Sequence, residues 1–318
     1  LLWAGTLRQK KYFRDLSYRS PWNKAEWKIV SLPPKLVGIA LNTLNIPFET
    51  LSGSYDLLHT SDWSEPASHA PKVTTVHDLV FLKYPETVDP LIRATQERRL
   101  KRLKSNSTTI IADSECTKND LVELCGISKE RITVVYPGIS PDYKSQSTRE
   151  IERVKTKYNL PAQFILSVGT QEPRKNLARL AEAASTLNIP LVLVGRHGWG
   201  DKTQTLGFVP DSDLPALYSA ATVFAYPSLY EGFGFPVLEA MTCGTAVVTS
   251  NVSSLPELAG NAAVLADPLS VDSIKSGIEQ AIKSREKLIK LGITRAQRFT
   301  WARTAQQVME VYDKIFEK

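Results

Sequence analysis

Three short stretches hold the side chains best suited to chemistry. In Gly169-Thr-Gln-Glu-Pro-Arg-Lys-Asn176, Arg174 and Lys175 stand between an apolar run and a helical pattern. A helix amino terminus offers free backbone donors and the positive end of the macrodipole, and two cations added there suit a diphosphate. A purely structural role must explain why both charges sit at the end that repels them. In Glu231-Gly-Phe-Gly-Phe-Pro-Val-Leu-Glu239, Gly232 and Gly234 let the backbone approach a ligand, and Pro236 suits the first helical position. Glu231 then falls in the loop and Glu239 about one turn into the helix. A carboxylate accepts two hydrogen bonds from a vicinal diol, so each could grip a sugar ring. Glu239 also fits an acid favoured near a helix start. His77 ends the run Lys72 to His77. At the carboxyl end of a strand it could donate to a sugar hydroxyl or a phosphate, although a lone histidine is more often structural. His59 is a weaker candidate of the same kind.

Asp211-Ser-Asp213 has a spacing that can hold a divalent ion against a diphosphate. It directly precedes Leu214-Pro-Ala-Leu-Tyr218, so capping of that helix by an aspartate or by Ser212 explains it more simply. No metal site is expected. The sequence has no His-Glu-x-x-His, Gly-x-Ser-x-Gly, Walker or Gly-x-Gly-x-x-Gly motif. Metalloprotease, serine hydrolase, nucleoside triphosphatase and dinucleotide oxidoreductase readings lose their main support.

Short apolar runs alternate with helical patterns, which predicts an α/β protein with mainly parallel strands. Strands are expected near Leu1 to Ala4, Trp27 to Leu32, Asp56 to Thr60, Lys72 to His77, Thr108 to Ala112 and Ile132 to Tyr136. In the second half they are expected at Phe164 to Val168, Pro190 to Val194, Thr205 to Val209, Thr222 to Tyr226 and Ala246 to Thr249. Helices are expected near Leu36 to Asn45, Asp89 to Lys104, Cys116 to Cys125, Lys175 to Leu187, Asp213 to Ala220 and Pro236 to Cys243. Two further helical patterns, Val271 to Phe299 and Trp301 to Phe316, close the chain. Pro137 to Ser147 breaks the alternation and marks a hinge between domains spanning 1–140 and 141–318. Two doubly wound domains would hold ligands at the carboxyl ends of their strands.

With 318 residues, 42% apolar and 23% charged, the chain suits about two globular domains. No apolar run reaches the ~18 to 20 residues of a membrane span. Three cysteines, Cys116, Cys125 and Cys243, without ligand spacing point to a reduced compartment and a cytoplasmic protein. The net charge is +6, divided as 19 basic and 15 acidic residues in 1–140 against 20 and 18 in the remainder. Neither half has the charge of a nucleic-acid binder. Arg93 to Lys104 gathers six basic residues and one acid on a helical pattern. That segment is either a solvated helix face or a surface for an anionic membrane. Because Leu1 already stands in a strand-like run, an upstream segment is expected, and with it an incomplete amino-terminal domain.

The stretches S-V-G-T-Q-E-P-R-K-N-L at 167–177, G-F-V-P-D-S-D-L at 207–214 and P-S-L-Y-E-G-F-G-F-P-V-L-E-A-M at 227–241 resemble the family 4 retaining glycosyltransferases of GT-B fold. The tail T-W-A-R-T-A at 300–305 follows in the right order. H-T-S-D-W at 59–63, T-V-H-D-L at 75–79 and A-D-S-E-C-T at 112–117 extend the likeness more weakly to the first half. The resemblance implies two Rossmann-like domains facing a cleft, with the last helix crossing back toward the first. It implies that Arg174 and Lys175 hold the donor diphosphate, with Gly169 and Thr170 in the same loop. Glu231 and the backbone of Gly232, Phe233 and Gly234 would bind the transferred sugar and phosphates. Glu239 would bind the ribose, Phe208 and Val209 would flank the base, and His77 would reach the sugar from the opposite domain. The donor would be a nucleotide-diphosphate sugar, with GDP-mannose favoured, the acceptor a carbohydrate or lipid-linked hydroxyl, and no cofactor or metal would be needed. Alternatives are a nucleotide-sugar 2-epimerase of related fold and a non-catalytic nucleotide-sugar-binding module.

Overall fold

A computed structural model describes residues 2–4, 10–18, 24–29, 33, 36–37, 39–61, 65–105, 108–196 and 205–317. The chain packs as two compact units, Leu1–Val76 with Ala94–Ile111, and His77–Arg93 with Ala112–Lys318. The division is not contiguous in sequence. His77 and the segment from Ala112 onward cluster with the carboxyl-terminal part, whereas the sequence-based boundary lies near residue 140.

In the first unit, β1 (Leu2–Ala4) and β2 (Trp27–Ile29) pair in parallel. An amphipathic helix, α1 (Lys10–Ser17), lies between them in sequence. Strands β3 (Leu58–Ser61) and β4 (Lys72–Val76) also pair in parallel, and β5 (Thr109–Ala112) lies next to β4. Helix α2 (Pro90–Ser105) carries the basic segment. Two of its six cations are engaged by acceptors within the unit. Arg99 is buried and donates to Thr74 Oγ1 and the Thr75 carbonyl, both at 2.7 Å. Arg102 donates to the carbonyls of Leu41 at 2.9 Å and Glu65 at 3.1 Å. The expected charged face is therefore reduced to Arg93, Arg98, Lys101 and Lys104.

The second unit contains α3 (Glu115–Cys125), β6 (Ile132–Val134), α4 (Thr148–Lys157) and a five-stranded sheet. The sheet strands are β7 (Ile165–Val168), β8 (Leu191–Val194), β9 (Val223–Tyr226), β10 (Val247–Ser250) and β11 (Val264–Ala266). Their order is β11-β10-β9-β7-β8, and each pair is parallel. Helices α5 (Leu177–Ser185), α6 (Leu214–Ala220), α7 (Phe235–Thr242), α8 (Leu255–Ala259), α9 (Val271–Lys283), α10 (Arg285–Ala296) and α11 (Trp301–Phe316) complete the unit.

Successive strand residues point to opposite faces, so an apolar run must be covered on both sides. Ile165 and Val223 join one buried cluster with Leu180 and Ile278, while Leu166 and Phe224 join another with Leu238 and Met241. This is why the central strands read as continuous apolar runs rather than alternating ones. Helix starts follow local capping chemistry: Ser114, Ser147, Ser270 and Thr300 each accept a backbone N–H from the first turn that follows.

Several expectations change. Thr205–Val209 is not a strand; Leu206 N–H bonds the Leu193 carbonyl and Gly195 N–H the Gly207 carbonyl, at 2.9 and 3.0 Å, without extending a ladder. The pattern from Val271 to Phe299 is two helices broken at Ser284. Within the expected helix Leu36 to Asn45, residues 36–37 are α-helical and Ile39–Thr43 forms a π-helical turn. Helix α7 begins at Phe235, one residue before Pro236. Leu1, 30–32, 38, 62 and 63, which belong to expected elements or motifs, lie outside the described residues.

Candidate active site

Strands β7 and β9 are neighbours, so the loops leaving their carboxyl ends meet. Pro173–Lys175 forms a 3₁₀ turn, and Asn176, at φ 58°, caps α5. Arg174 and Lys175 thus precede the helix rather than occupying its first turn, and their pairing with Glu231 and Glu172 offsets the repulsion of its positive end. Asn176 Nδ2 pins this turn by donating to the carbonyls of Pro227 at 3.0 Å and Pro268 at 2.6 Å.

Both cations converge on Glu231. Lys175 Nζ donates to Oε1 at 2.7 Å and Arg174 Nη1 lies 2.9 Å from Oε2. Tyr226 OH at 2.9 Å and Ser228 Oγ at 2.6 Å also donate to Oε1. Arg174 in addition pairs with Glu172 and donates to the Tyr230 carbonyl at 2.6 Å. Burial alone would raise the Glu231 pKa, but Lys175 and Arg174 outweigh it and hold the carboxyl down at about 2. Two cations and two carboxylates make the cluster formally neutral. Glu231 orients Arg174 and Lys175, a role that sequence reading, which saw it only as a sugar ligand, did not find. Glu172, Tyr226 and Ser228 were likewise missed, although all lie in or beside the two recognised loops.

The Glu231-Gly-Phe-Gly segment is fixed from several sides. Ser254 Oγ donates to the carbonyls of Glu231 and Phe233, at 2.9 and 2.8 Å. Tyr230 OH donates to Asp120 at 2.7 Å, and Lys83 pairs with the same carboxylate at 2.8 Å. The Phe233 ring is buried against Tyr136, Phe235 and Phe299, so only its backbone is available to a ligand. Gly232 packs against the carbonyl of His77.

His77 sits one residue beyond β4, and its Nδ1 lies 2.6 Å from Asp113 Oδ2. Asp113 is buried and follows β5, the strand beside β4. Thr117 Oγ1 bonds the carbonyls of His77 and Gly232, at 3.2 and 3.4 Å. The expected histidine therefore meets the expected loop, and Asp113 joins them unannounced by any spacing. His59 instead pairs with Thr75 Oγ1 on the neighbouring strand at 2.8 Å.

Gly169 and exposed Thr170 follow β7, in the loop that carries the two cations. Phe208 is 63% exposed with the Arg196 guanidinium 5.2 Å from its ring centre, whereas Val209 is a core residue. Glu239 is the fifth residue of α7, beyond the first turn, so it is not a helix-start acid. It accepts from Tyr218 OH at 2.7 Å, and burial raises its pKa.

Asp213 precedes α6 but makes no capping bond. Its carboxylate accepts from Lys157 Nζ and Tyr158 OH, each at 2.6 Å, and from Arg153 Nη2 at 2.8 Å. The expected capping role is thus replaced by an ion cluster that joins α6 to α4. Burial acts to raise the Asp213 pKa, but these donors prevail and hold it at about 2. Stabilisation from this group is present above the ordinary value of 3.8 and is lost as pH falls toward about 2. Asp213→Asn should lower stability by about 1–2 kcal/mol, since Arg153 and Lys157 remain half-exposed. Thermal melts of parent and variant should converge as pH falls from 5 through this window, and equal melts at neutral pH would refute the cluster's contribution.

Among the described residues, no helix is long and apolar enough to cross a membrane. The family model described as Glycosyl transferases group 1 matches residues 148–298, and that for Glycosyltransferase Family 4 matches residues 8–143. The chain is 37% identical over 265 residues to the O-antigen chain mannosyltransferase B of Escherichia coli, covering 76% of this chain and 69% of the relative. It is 31% identical over 301 residues to the serotype-specific mannosyltransferase WbdA of Escherichia coli, covering 85% of this chain but 36% of that protein. The solved sucrose-phosphate synthase of Thermosynechococcus elongatus aligns with a TM-score of 0.71 at 22% identity, over 94% of this chain and 82% of that one. Anabaena HepE, solved with UDP and glucose, aligns with a TM-score of 0.73 at 19% identity, over 95% and 89%. These structures share the GT-B fold expected from the sequence.

Proposed function

The chain belongs to glycosyltransferase family 4, and from that premise we propose that it transfers mannose from GDP-mannose to a carbohydrate or lipid-linked hydroxyl with retained anomeric configuration. The observation carrying this reading is the convergence of Arg174, Lys175 and Glu231 beside Gly232 and His77. The mannosyl choice draws on the names of its relatives, both Escherichia coli proteins compared above being mannosyltransferases.

In this scheme Arg174 and Lys175 meet the donor diphosphate and stabilise the charge that grows on it as the sugar departs. The acceptor oxygen bonds the anomeric carbon on the face that the phosphate leaves, and its proton passes to the leaving phosphate oxygen. Fixed cations supply the electrostatic work, so neither a divalent metal nor another cofactor is required. Gly169, Thr170, Gly232, Phe233 and Gly234 contribute backbone to the donor. The exposed ring of Phe208 and the backbone of Val209 flank the base. His77, oriented by Asp113, donates to the sugar or the phosphate, and Glu239 binds the ribose. Use of a lipid-linked acceptor would place the work at the cytoplasmic face of a membrane, where Arg93, Arg98, Lys101 and Lys104 meet anionic headgroups.

The test is product analysis with GDP-mannose and a mannan-type acceptor in excess chelator, where mannosylated product and GDP should both form. Abolition by chelator with rescue by manganese would overturn the scheme, as would conversion of the donor without acceptor. Glu239→Gln keeps an acceptor for Tyr218 yet removes the charge offered to the ribose. GDP affinity should fall by about 1.5–3 kcal/mol, read by calorimetry. Unchanged affinity would make Glu239 a structural partner of Tyr218 only.

A further inference from the structure

The carboxyl end of α10 and the start of α11 enclose a cavity of ≈230 Å³ lined by Tyr136, Arg295, Arg298, Thr300, Arg303 and Gln307, with Phe299 as one wall. Three guanidinium groups line it and no carboxylate does. Arg295 is already committed: its Nε donates to the Leu258 carbonyl at 2.9 Å, its Nη2 to the Glu257 carbonyl, and it stacks on Phe299 at 5.3 Å. The adjacent acid, Glu257, is also engaged, by Tyr136 OH and by the backbone N–H groups of Glu115 and Cys116, all at 3.0 Å. Burial, and then the charge of Arg298, lower the pKa of Arg295 against the opposing pull of Tyr136 and Glu257.

Fold stability explains Arg295, which closes the end of α8 and sits at the favourable carboxyl end of α10. It does not explain Arg303. That residue lies in the first turn of α11, where Thr300 Oγ1 caps its N–H at 3.2 Å and the helix dipole opposes a cation. Arg298 and Arg303 are exposed, so their planar forks remain available for a tetrahedral oxyanion. The cavity far exceeds the ~30 Å³ share of one water.

We infer that this cavity is a second anion site that binds a phosphoryl group, carried either by a soluble phosphate compound or by a phospholipid headgroup. Arg298 and Arg303 supply the binding forks, and Arg295 supplies a fixed background charge. The cavity backs onto the Glu231-Gly-Phe-Gly loop, because Tyr136 and Phe299 lie 6.3 and 6.0 Å from the Phe233 ring. The site is independent of the donor-binding scheme, which uses Arg174 and Lys175.

The experiment titrates inorganic phosphate and inorganic diphosphate into the parent chain, R174Q and R298Q/R303Q by calorimetry. One binding event should persist in R174Q and weaken about tenfold or more in R298Q/R303Q, as loss of two charge-assisted contacts implies. R298K/R303K should restore part of it. Failure of the donor scheme would alter only the R174Q comparison. Sedimentation with phosphatidylcholine vesicles, with and without phosphatidylglycerol, separates the sources: arginine-dependent binding confined to anionic vesicles assigns a headgroup. In the parent chain, phosphate or those vesicles should protect Arg298 and Arg303 from phenylglyoxal, read by mass spectrometry, whether or not the double variant folds. No difference between parent and double variant with any probe, or no protection, overturns the site.

Discussion

Replacing Glu231 with alanine is expected to destabilise the protein by about 3–5 kcal/mol, because it leaves two largely buried cations short of their counter-charge. Arg174 would keep only Glu172 and the Tyr230 carbonyl, and Lys175 only Tyr226 at 2.5 Å and a 4.0 Å approach to Glu172. Since the Glu231 pKa is held at about 2 against an ordinary 4.5, its stabilisation is complete above that ordinary value and fades as pH falls toward about 2. Denaturant unfolding of parent and Glu231→Ala at pH 7 and at pH 3 should therefore show the larger gap at pH 7. Below the variant's melting range, transfer should drop at least about a hundredfold if Glu231 also touches the transferred sugar. GDP affinity should fall less than turnover, because the change loosens Arg174 and Lys175 but also removes a negative charge from beside the cations proposed to meet the diphosphate. Parallel loss of GDP affinity and turnover would instead mean that Glu231 acts only by presenting those cations. Unchanged stability would contradict the buried cluster itself.

Gly232→Ala should be at least as disruptive. A Cβ there would lie 2.1 Å from the His77 carbonyl oxygen and 2.7 Å from Asp78 Cβ. Neither is the flexible end of a long side chain, so the Glu231 loop and the His77-Asp78 segment must separate. The expected cost is about 3 kcal/mol or more, at the upper end for an overpacked site. Transfer should be lost even where the variant is folded, because the displacement moves His77 away from the Glu231 loop. Thermal melts combined with an assay well below the melting temperature check both parts. A variant that melts and turns over like the parent would show that the two segments do not pack as described.

Much of this site was legible from local sequence. Parallel strands buried on both faces must be short apolar runs, and their carboxyl ends must open into the loops that hold ligands. That rule alone puts Arg174, Lys175, Glu231 and His77 at strand ends. Period and composition report what one segment wants, and they do so well where packing agrees, as for β7, β9 and α11. They misread Thr205–Val209, whose apolar alternation is met by isolated backbone bonds, and the helical run that breaks at Ser284.

Only the tertiary structure decided how charges are shared. Lys175 and Glu231 are 56 residues apart, His77 and Asp113 36 apart, and Lys157 and Asp213 56 apart. No local pattern encodes those pairs. The six cations of the basic helix look alike in sequence, yet Arg99 and Arg102 are engaged because long-range carbonyl and hydroxyl acceptors wait there. Hydrophobic periodicity is a property of neighbours along the chain, whereas satisfying a buried charge depends on what folding brings within about 3 Å. The sequence by itself thus determined which loops bring charged side chains to the strand ends, and the fold determined which side chains in them are bound to one another.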